Sequence, residues 1–316
     1  MALFSFGTAQ ALIYDPVPAD RDGMRLALEK IGFKEIEAVA TLDAFDDAVL
    51  HRSFDLALCE AQNAEDRLYR SIQALRQNMD APNPFAIIFV TGWESRNSLV
   101  NCAVNSGADD LVLRPFPPGM LESRIHTHIV QRKHFIITSD YIGPDRRRDK
   151  SRQSKIELFE PPTSLKAKTA NGVTQEEAMR RFDDELKAAR EVFTSEKLRR
   201  DAFQICVLWR LMQGSVGLSS ECDAELTKLS RVVKSVARRI HDTPFEKAGR
   251  WCEAIFGAIE GLERGADRNV AMHLLGHAAI NLSQVFACEK GLNESLAEID
   301  TTVRMIKNRH QIQLAS

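Results

Sequence analysis

The stretch NSGADDLVLRPFPP, residues 105 to 118, carries the features on which the fold prediction depends. Its apolar run DLVL (110 to 113) is short, as buried strands are, and Gly107 stands where a preceding helix should stop. Four similar runs come earlier in the chain: QALIY (10 to 14), EIEAVA (35 to 40), DLALC (55 to 59) and FAIIFV (85 to 90). We therefore predict five strands between residues 10 and 113.

Amphipathic stretches separate these runs, and the last one closes the region. They lie at 20 to 32, 41 to 53, 65 to 78, 94 to 107 and 117 to 135. Strands that alternate with helices are typical of βαβ units, so the sequence predicts a parallel, flavodoxin-like α/β sheet with a site at the carboxyl ends of its strands.

Several motifs resemble response-regulator receiver domains. NSGADDLVLRPFPP resembles their AGADDYLxKPF signature, and FVTG (89 to 92) resembles their fourth strand with its Thr or Ser. FDLALCEA (54 to 61) matches the third strand and LIYDPVPADR (12 to 21) the first. The motifs occur in the family's order, so the resemblance implies a CheY-like receiver over residues 1 to 135.

The receiver resemblance also implies a phosphate switch, whose key positions can be compared one by one. In the family, two acidic residues hold Mg²⁺, an aspartate accepts phosphate, a Thr or Ser and a Lys contact it, and an aromatic residue on the fifth strand reports the change. The matching residues here are Asp15, Pro16, Glu60, Thr91, Arg114 and Leu111.

Four of these positions depart from the family pattern. Pro16 offers no side-chain oxygen, so Mg²⁺ binding should be weakened or lost. Glu60 is one methylene longer than the aspartate it replaces, Arg114 replaces the lysine, and Leu111 replaces the aromatic residue. We expect a pseudo-receiver that is not phosphorylated and holds no cofactor.

Two interpretations of Glu60 remain open. In one, its carboxylate reaches toward Thr91 and pairs with Arg114, imitating an acyl phosphate; an arginine suits this because its planar fork binds carboxylates. In the other, the site has decayed, and Glu60 and Arg114 form a partly solvated ion pair worth about 0 to 1 kcal/mol. The absent aromatic residue favours decay.

Residues 136 to 173 lack periodicity and are rich in Gly, Pro, Ser, Lys and Arg, which predicts a basic linker. Arginine clusters bind phosphates, and the spacing of Arg148 and Arg152 resembles the RxxxR of PilZ domains that hold cyclic di-GMP. A solvated linker, an arm that pairs with acidic helices and nucleic-acid binding are the alternatives, the last being the least favoured. The candidate ligand-binding residues are Tyr141, Arg146, Arg147, Arg148 and Arg152.

Residues 174 to 316 have apolar residues at helical spacing and no strand-like alternation. We predict a helical bundle for interaction or homodimerisation, with helices at 174 to 212, 220 to 241, 244 to 264, 267 to 289 and 293 to 312. His273 and His277 have the i, i+4 spacing of zinc ligands but no third ligand nearby, so core packing or a small polar contact is favoured. His241 has a superficial likeness to the histidine-kinase phosphorylation motif, and phosphorelay is a further alternative.

Composition narrows the function classes. The 316 residues suit two domains, and a net charge of −2 gives no global attraction to nucleic acid or anionic membranes. Six scattered cysteines and the lack of a long apolar run favour a cytoplasmic protein without membrane insertion. We expect a non-enzymatic adaptor that binds protein partners of a bacterial signalling pathway; the alternatives are a cyclic di-GMP effector, in motility or cell-cycle control, and a phosphorelay protein using His241.

Overall fold

The computed structural model divides the chain into two compact units, Met1–Glu191 and Val192–Ser316. The residues it describes are 4–62, 65–93, 97–138, 140–147, 158–169, 174–213, 220–241, 243–287 and 292–314.

The first unit contains a five-stranded sheet in the order β2-β1-β3-β4-β5, with every neighbouring pair parallel. The expected strands are confirmed, with shifts of one or two residues at some ends. Their bounds are β1 (Gln10–Tyr14), β2 (Glu35–Val39), β3 (Leu56–Glu60), β4 (Ile87–Gly92) and β5 (Asp110–Leu113). The register places Glu60 beside Thr91, so both residues lie at the carboxyl ends of their strands.

Five helices cover the two faces of this sheet, as the sequence predicts for βαβ units. The Thr41 hydroxyl accepts a hydrogen bond from the Ala44 N–H and caps the second helix, while Gly32 ends the first in a left-handed conformation. The helices are α1 (Pro18–Ile31), α2 (Leu42–His51), α3 (Glu65–Gln77), α4 (Asn97–Ser106) and α5 (Pro118–Val130).

The segment expected to be a linker is instead folded where the structure describes it. Its residues form an antiparallel hairpin, β6 (Phe135–Ile137) with β7 (Ile142–Pro144), and a short helix, α6 (Ser164–Thr169). The Lys168 ammonium pairs with Asp55 at 2.8 Å, and the two side chains are 9% and 0% exposed, respectively. Long-range ion pairs of this kind fix the position of a basic, proline-containing segment. The linker prediction was wrong here because it rested on amino-acid composition, which does not reveal such pairs.

The hairpin depends on a close approach to Gly107, whose φ of +87° is in the left-handed region. A Cβ there would overlap the Ile142 carbonyl oxygen of β7. The glycine predicted to stop α4 therefore also makes room for the chain that follows α5.

The second half of the chain is helical, as predicted. Its helices are α7 (Gln175–Gln213), within which the boundary between the two units falls, α8 (Ser220–Ile240), α9 (Gly249–Glu263), α10 (Arg268–Phe286) and α11 (Leu292–Leu314). A 3₁₀ turn at Glu246–Ala248 delays the start of α9 relative to the expected position, residue 244. None of the helical residues that the structure describes form a stretch long and apolar enough to span a membrane.

The core of the second unit is built from α7, α8, α9 and α10, with Ile299 and Val303 of α11. Trp209 of α7 is buried, and its indole N–H donates to the Met272 carbonyl of α10 at 3.0 Å. The Trp209 ring lies directly against Gly276, where a Cβ would overlap it. The described free cysteines Cys206 and Cys252 are buried in this unit, and Cys59 is buried in the first.

We expect Gly276→Ala to destabilise the protein by about 1 to 3 kcal/mol, because the added methyl must displace the Trp209 ring in a packed core. Urea unfolding followed by circular dichroism measures the change. Gly257→Ala is the matched control: it also lies within a helix but meets no atom within 4 Å, so the gain in helix propensity should stabilise by about 0.5 to 1 kcal/mol. Equal effects of the two variants would contradict the packing account.

Candidate functional site

The switch-position residues predicted from the sequence meet at the carboxyl ends of four strands. Asp15 follows β1, Glu60 ends β3, Thr91 lies in β4 and Arg114 follows β5. Their exposed fractions are 0%, 2%, 0% and 8%, respectively. The pocket is therefore a buried polar cluster in which every charge needs a partner.

Arg114 holds the pocket together through a single nitrogen atom. Its Nη2 lies 2.8 Å from Asp15 Oδ2 and 3.3 Å from Glu60 Oε2, and it donates to Thr91 Oγ at 2.9 Å. Asp20, which the sequence reasoning missed, lies 3.7 Å from Nη1. The guanidinium group thus occupies the space between the two carboxylates.

Both carboxylate oxygens of Glu60 accept hydrogen bonds. Oε1 accepts a hydrogen bond from the Gln62 backbone N–H at 2.7 Å, and Oε2 accepts one from the Thr91 hydroxyl at 3.2 Å. Burial raises the pKa of Glu60, although the Gln62 hydrogen bond, Arg114 and Thr91 oppose the rise. Its side chain reaches both partners that an imitation of phosphate requires.

Asp15 is held more by charge than by hydrogen bonding. Oδ1 accepts from the Val17 N–H at 2.8 Å, whereas Oδ2 is buried, makes no hydrogen bond and faces Arg114. Pro16, at the second acidic position of the family, is partly exposed, and Leu111 packs partly buried against the core of the first unit.

These residues do not fit a Mg²⁺ ion. Mg²⁺ needs oxygen ligands in near-octahedral geometry, but the guanidinium of Arg114 already lies between Asp15 and Glu60. Nowhere among the described residues do three or more His, Cys, Asp or Glu side chains form a group that could hold a metal ion.

A second buried charged cluster, which the sequence reasoning also missed, surrounds Asp109. Arg76 donates to its Oδ2 at 2.8 Å and Arg132 to its Oδ1 at 2.9 Å. Burial alone would raise the pKa of Asp109, but Arg132 and Arg76 outweigh it and lower the pKa. Burial lowers the pKa of Arg76 to about 10. The two arginines are 56 residues apart in sequence, so no local motif marks the cluster.

The structure describes only part of the arginine-rich segment from Arg146 to Arg152, and the described arginines contact other residues of the chain. Arg146 donates to the Ala108 and Asp109 carbonyls, each at 2.8 Å, and Arg147 pairs with Asp145 at 2.8 Å. The Tyr141 hydroxyl donates to the Pro144 carbonyl at 3.0 Å. The candidate ligand residues Arg148 and Arg152 lie outside the described residues.

The candidate histidines lie on the surface of the helical unit. His241 is exposed and follows the last residue of α8, so it is not inside a helix. His273 and His277 are exposed on α10, so they do not pack in the core. His277 does make a small polar contact, because its Nε2 lies 3.4 Å from Asn281 Nδ2, and its ring lies edge-on to Trp251 at 5.7 Å.

Comparison with known proteins places similarity in the N-terminal part of the chain. No family model matches. The chain is 30% identical over 122 residues to the transcriptional regulatory protein YvrH of Bacillus subtilis (strain 168). That match covers 38% of this chain and 49% of YvrH, so the chain spans about half the length of this curated relative.

Two solved structures show similarity over the same part of the chain. The first is the response regulator receiver domain protein (CheY-like) from Methanospirillum hungatei JF-1, with 21% identity, a TM-score of 0.34 and coverage of 37% of this chain and 90% of that chain. The second is a putative pilus assembly-related protein from Burkholderia pseudomallei K96243, with 12% identity, a TM-score of 0.34 and coverage of 39% and 90%. The expected receiver resemblance of the N-terminal part is confirmed.

We expect Asp109→Asn to cost about 3 to 5 kcal/mol at neutral pH, because it leaves two buried guanidinium groups without their carboxylate. The folded-state pKa of Asp109 is lowered, so its stabilisation is present above the unfolded value, about 3.9, and is lost as the pH falls through the folded value. The difference in unfolding free energy between the wild type and Asp109→Asn should therefore become smaller as the pH falls.

Urea unfolding across pH 2 to 7 tests this prediction. Asp43→Asn is the control, because the Asp43 side chain is 83% exposed in its pair with Arg67 and its loss should cost only about 0 to 1 kcal/mol. A deficit for Asp109→Asn that does not change with pH would contradict the assignment.

We expect Glu60→Gln to gain stability relative to the wild type as the pH rises. The folded-state pKa of Glu60 is raised above its unfolded value of about 4.3, so wild-type stability decreases as the pH rises from there through the folded pKa. Glutamine does not titrate and lacks this loss. Unfolding midpoints of both proteins between pH 4 and 8 give the difference, and a constant difference would refute the buried titration of Glu60.

Proposed function

We propose that the N-terminal unit is a receiver-type signalling module that works by binding protein partners, without phosphorylation, and that Glu60 stands permanently in place of the phosphoryl group. The observation that carries this proposal is the position of Arg114 Nη2, within 3.3 Å of Glu60 and within 2.9 Å of both Asp15 and Thr91.

The same contacts argue against phosphoryl transfer. A phosphodonor has to approach the acceptor carboxylate in line, and a metal ion has to neutralise the transferred group. Glu60 is 2% exposed, both of its oxygens accept hydrogen bonds, and a guanidinium stands where the metal would be needed. Phosphorylation would have to break this arrangement first.

Burial also bears on the two interpretations of Glu60. The decayed-site interpretation requires a partly solvated Glu60–Arg114 pair, whereas the side chains of this pair are 2% and 5% exposed. The imitation interpretation requires one carboxylate to engage both Thr91 and Arg114, which Glu60 Oε2 does. The burial and the shared contacts therefore support imitation of the phosphorylated state.

A pocket of this kind gives the module one constant surface. Removing one partner from a buried ion pair costs about 3 to 5 kcal/mol, so the four residues resist rearrangement. The Thr91 hydroxyl donates to Glu60 and accepts from Arg114, so it belongs to the same network. Partner binding would then depend on the amount of protein or on the second unit, and not on a phosphodonor.

We expect neither the wild type nor Glu60→Asp to form an acyl phosphate with acetyl phosphate and Mg²⁺. The shorter carboxylate restores the family's acceptor, but Pro16 and Arg114 still leave the pocket without a metal site. Intact-protein mass spectrometry detects the added phosphoryl group.

A phosphorylatable receiver protein, treated in parallel, shows that the assay works. The triple variant Pro16→Asp, Glu60→Asp, Arg114→Lys restores the family's acidic pair, acceptor and lysine, and it is the variant in which labelling is expected. Robust labelling of the wild type would overturn the proposal, and labelling of Glu60→Asp alone would show that Arg114 does not block the metal.

A further inference from the structure

The outer side of helix α8 carries a concentration of positive charge. Between Glu225 and Asp242 the sequence contains five basic residues and no acidic one. Four of the five are exposed, and they follow one another at intervals of three, three and four residues. That spacing places side chains on one face of a helix. We call these four the basic face of α8: Lys228, Arg231, Lys234 and Arg238.

The core of the second unit determines which way this face points. Leu229, Val233 and Val236 of α8 are 0% exposed and belong to that core. Because a helix turns by about 100° per residue, the centre of the basic face lies on the side of α8 opposite these three residues. The basic face is therefore turned away from the unit's own core and toward the surroundings.

The charges of the basic face are not used for pairing within the described part of the chain. Elsewhere, exposed arginines pair with a carboxylate one helical turn away, as Arg180 does with Glu176 at 2.7 Å and Arg264 with Glu260 at 2.5 Å. Among the residues that the structure describes, none forms an ion pair or a hydrogen bond with the four side chains of the basic face. These charges are available to an external anion.

We propose that the basic face of α8 binds duplex DNA through its phosphate backbone, without reading the base sequence. Lys228 and Arg238 are ten residues apart, which is about 15 Å at roughly 1.5 Å per residue. One strand of B-form DNA carries a phosphate about every 3.4 Å, so about four phosphates lie along that length. The four cations of the basic face match this number.

The composition of the basic face favours DNA over a protein or a lipid surface. Protein–protein interfaces have an apolar centre that is poor in charge, whereas protein–DNA interfaces are polar and positively charged. No large apolar side chain of α8 that the structure describes is exposed. A helix that binds a bilayer inserts its apolar side, and that side of α8 is buried in the core.

A duplex is also favoured over a single strand. Proteins that bind single strands stack the bases on aromatic side chains, and α8 contains no aromatic residue. A duplex instead presents its phosphates on the outside, where the flexible side chains of Lys and Arg can reach them. The net charge of the chain is −2, so binding depends on this local face and not on a general attraction.

Fluorescence anisotropy with the full chain and a labelled DNA duplex of arbitrary sequence tests the proposal. Each neutralised phosphate releases counterions, so the logarithm of the affinity falls linearly with the logarithm of the salt concentration. Four phosphate contacts give an expected slope of about −3.6, and the affinity should therefore fall by roughly two orders of magnitude between about 50 and 200 mM salt.

Arg231→Gln with Lys234→Gln removes two of the four contacts. The slope should change to about −1.8, and the affinity at low salt should fall at least tenfold. Arg180→Gln with Arg181→Gln is the matched control, because it removes the same charge from exposed side chains of another helix that already pair with carboxylates. That control should keep the wild-type slope.

Lys228→Gln with Arg238→Gln repeats the test with the other two members of the basic face, and it should give the same change of slope. Circular dichroism melting checks that each variant folds, which is expected because all four side chains are exposed. Agreement between the two pairs shows that the contact belongs to α8.

Several outcomes would overturn the proposal. They are a wild type that does not bind the duplex at low salt, equal losses in the α8 variants and the α7 control, and binding that both α8 variants keep. Unlabelled single strands, poly-glutamate and phosphatidylglycerol vesicles serve as competitors. If any of them displaces the labelled duplex at a lower charge concentration than unlabelled duplex does, the basic face belongs to that class of partner instead. The assay makes no use of the Glu60 pocket, so DNA binding and phosphate labelling report on separate properties.

Discussion

The need to pair every buried charge is the constraint on which the first unit depends. A lone ion in a protein interior costs several kcal/mol, and its partner must therefore come from somewhere along the chain. Asp109 takes its partners from α3 and from Arg132, just after α5, and Asp55 takes Lys168 from α6. These pairs fix the chain that leaves α5 against the sheet, and they make residues 135 to 169 part of the unit wherever the structure describes them.

Buried charges must also be paired at the opposite end of the strands, in the pocket formed by Asp15, Glu60, Thr91 and Arg114. Three carboxylates, those of Asp15, Asp20 and Glu60, face one guanidinium there, and the Arg114 charge does the neutralising that a metal ion would otherwise do. A metal ion can leave and return, whereas a covalently attached side chain cannot. On the function proposed above, the pocket is therefore permanent where a metal site would be reversible.

The sequence predicts the regular elements well because periodicity is local. Five strands and the helices between them follow from runs of a few residues, and the long helices of the second half follow from apolar spacing. The pocket is also predictable, since Glu60, Thr91 and Arg114 all follow from matching short motifs. The buried ion pairs cannot be predicted in this way. Lys168 and Asp55 are 113 residues apart, and the sequence around each residue resembles that of an ordinary surface charge.

The surface of α10 shows a different limit of sequence reasoning. Its lack of charge is visible in the composition of residues 269 to 287, but that observation alone predicts only a buried helix. Knowing that Met272, Leu275 and Leu282 take the core side leaves Val270, Leu274 and Val285 outside. The composition therefore reveals that this helix lacks charge, and only the packing reveals which of its side chains the core takes up.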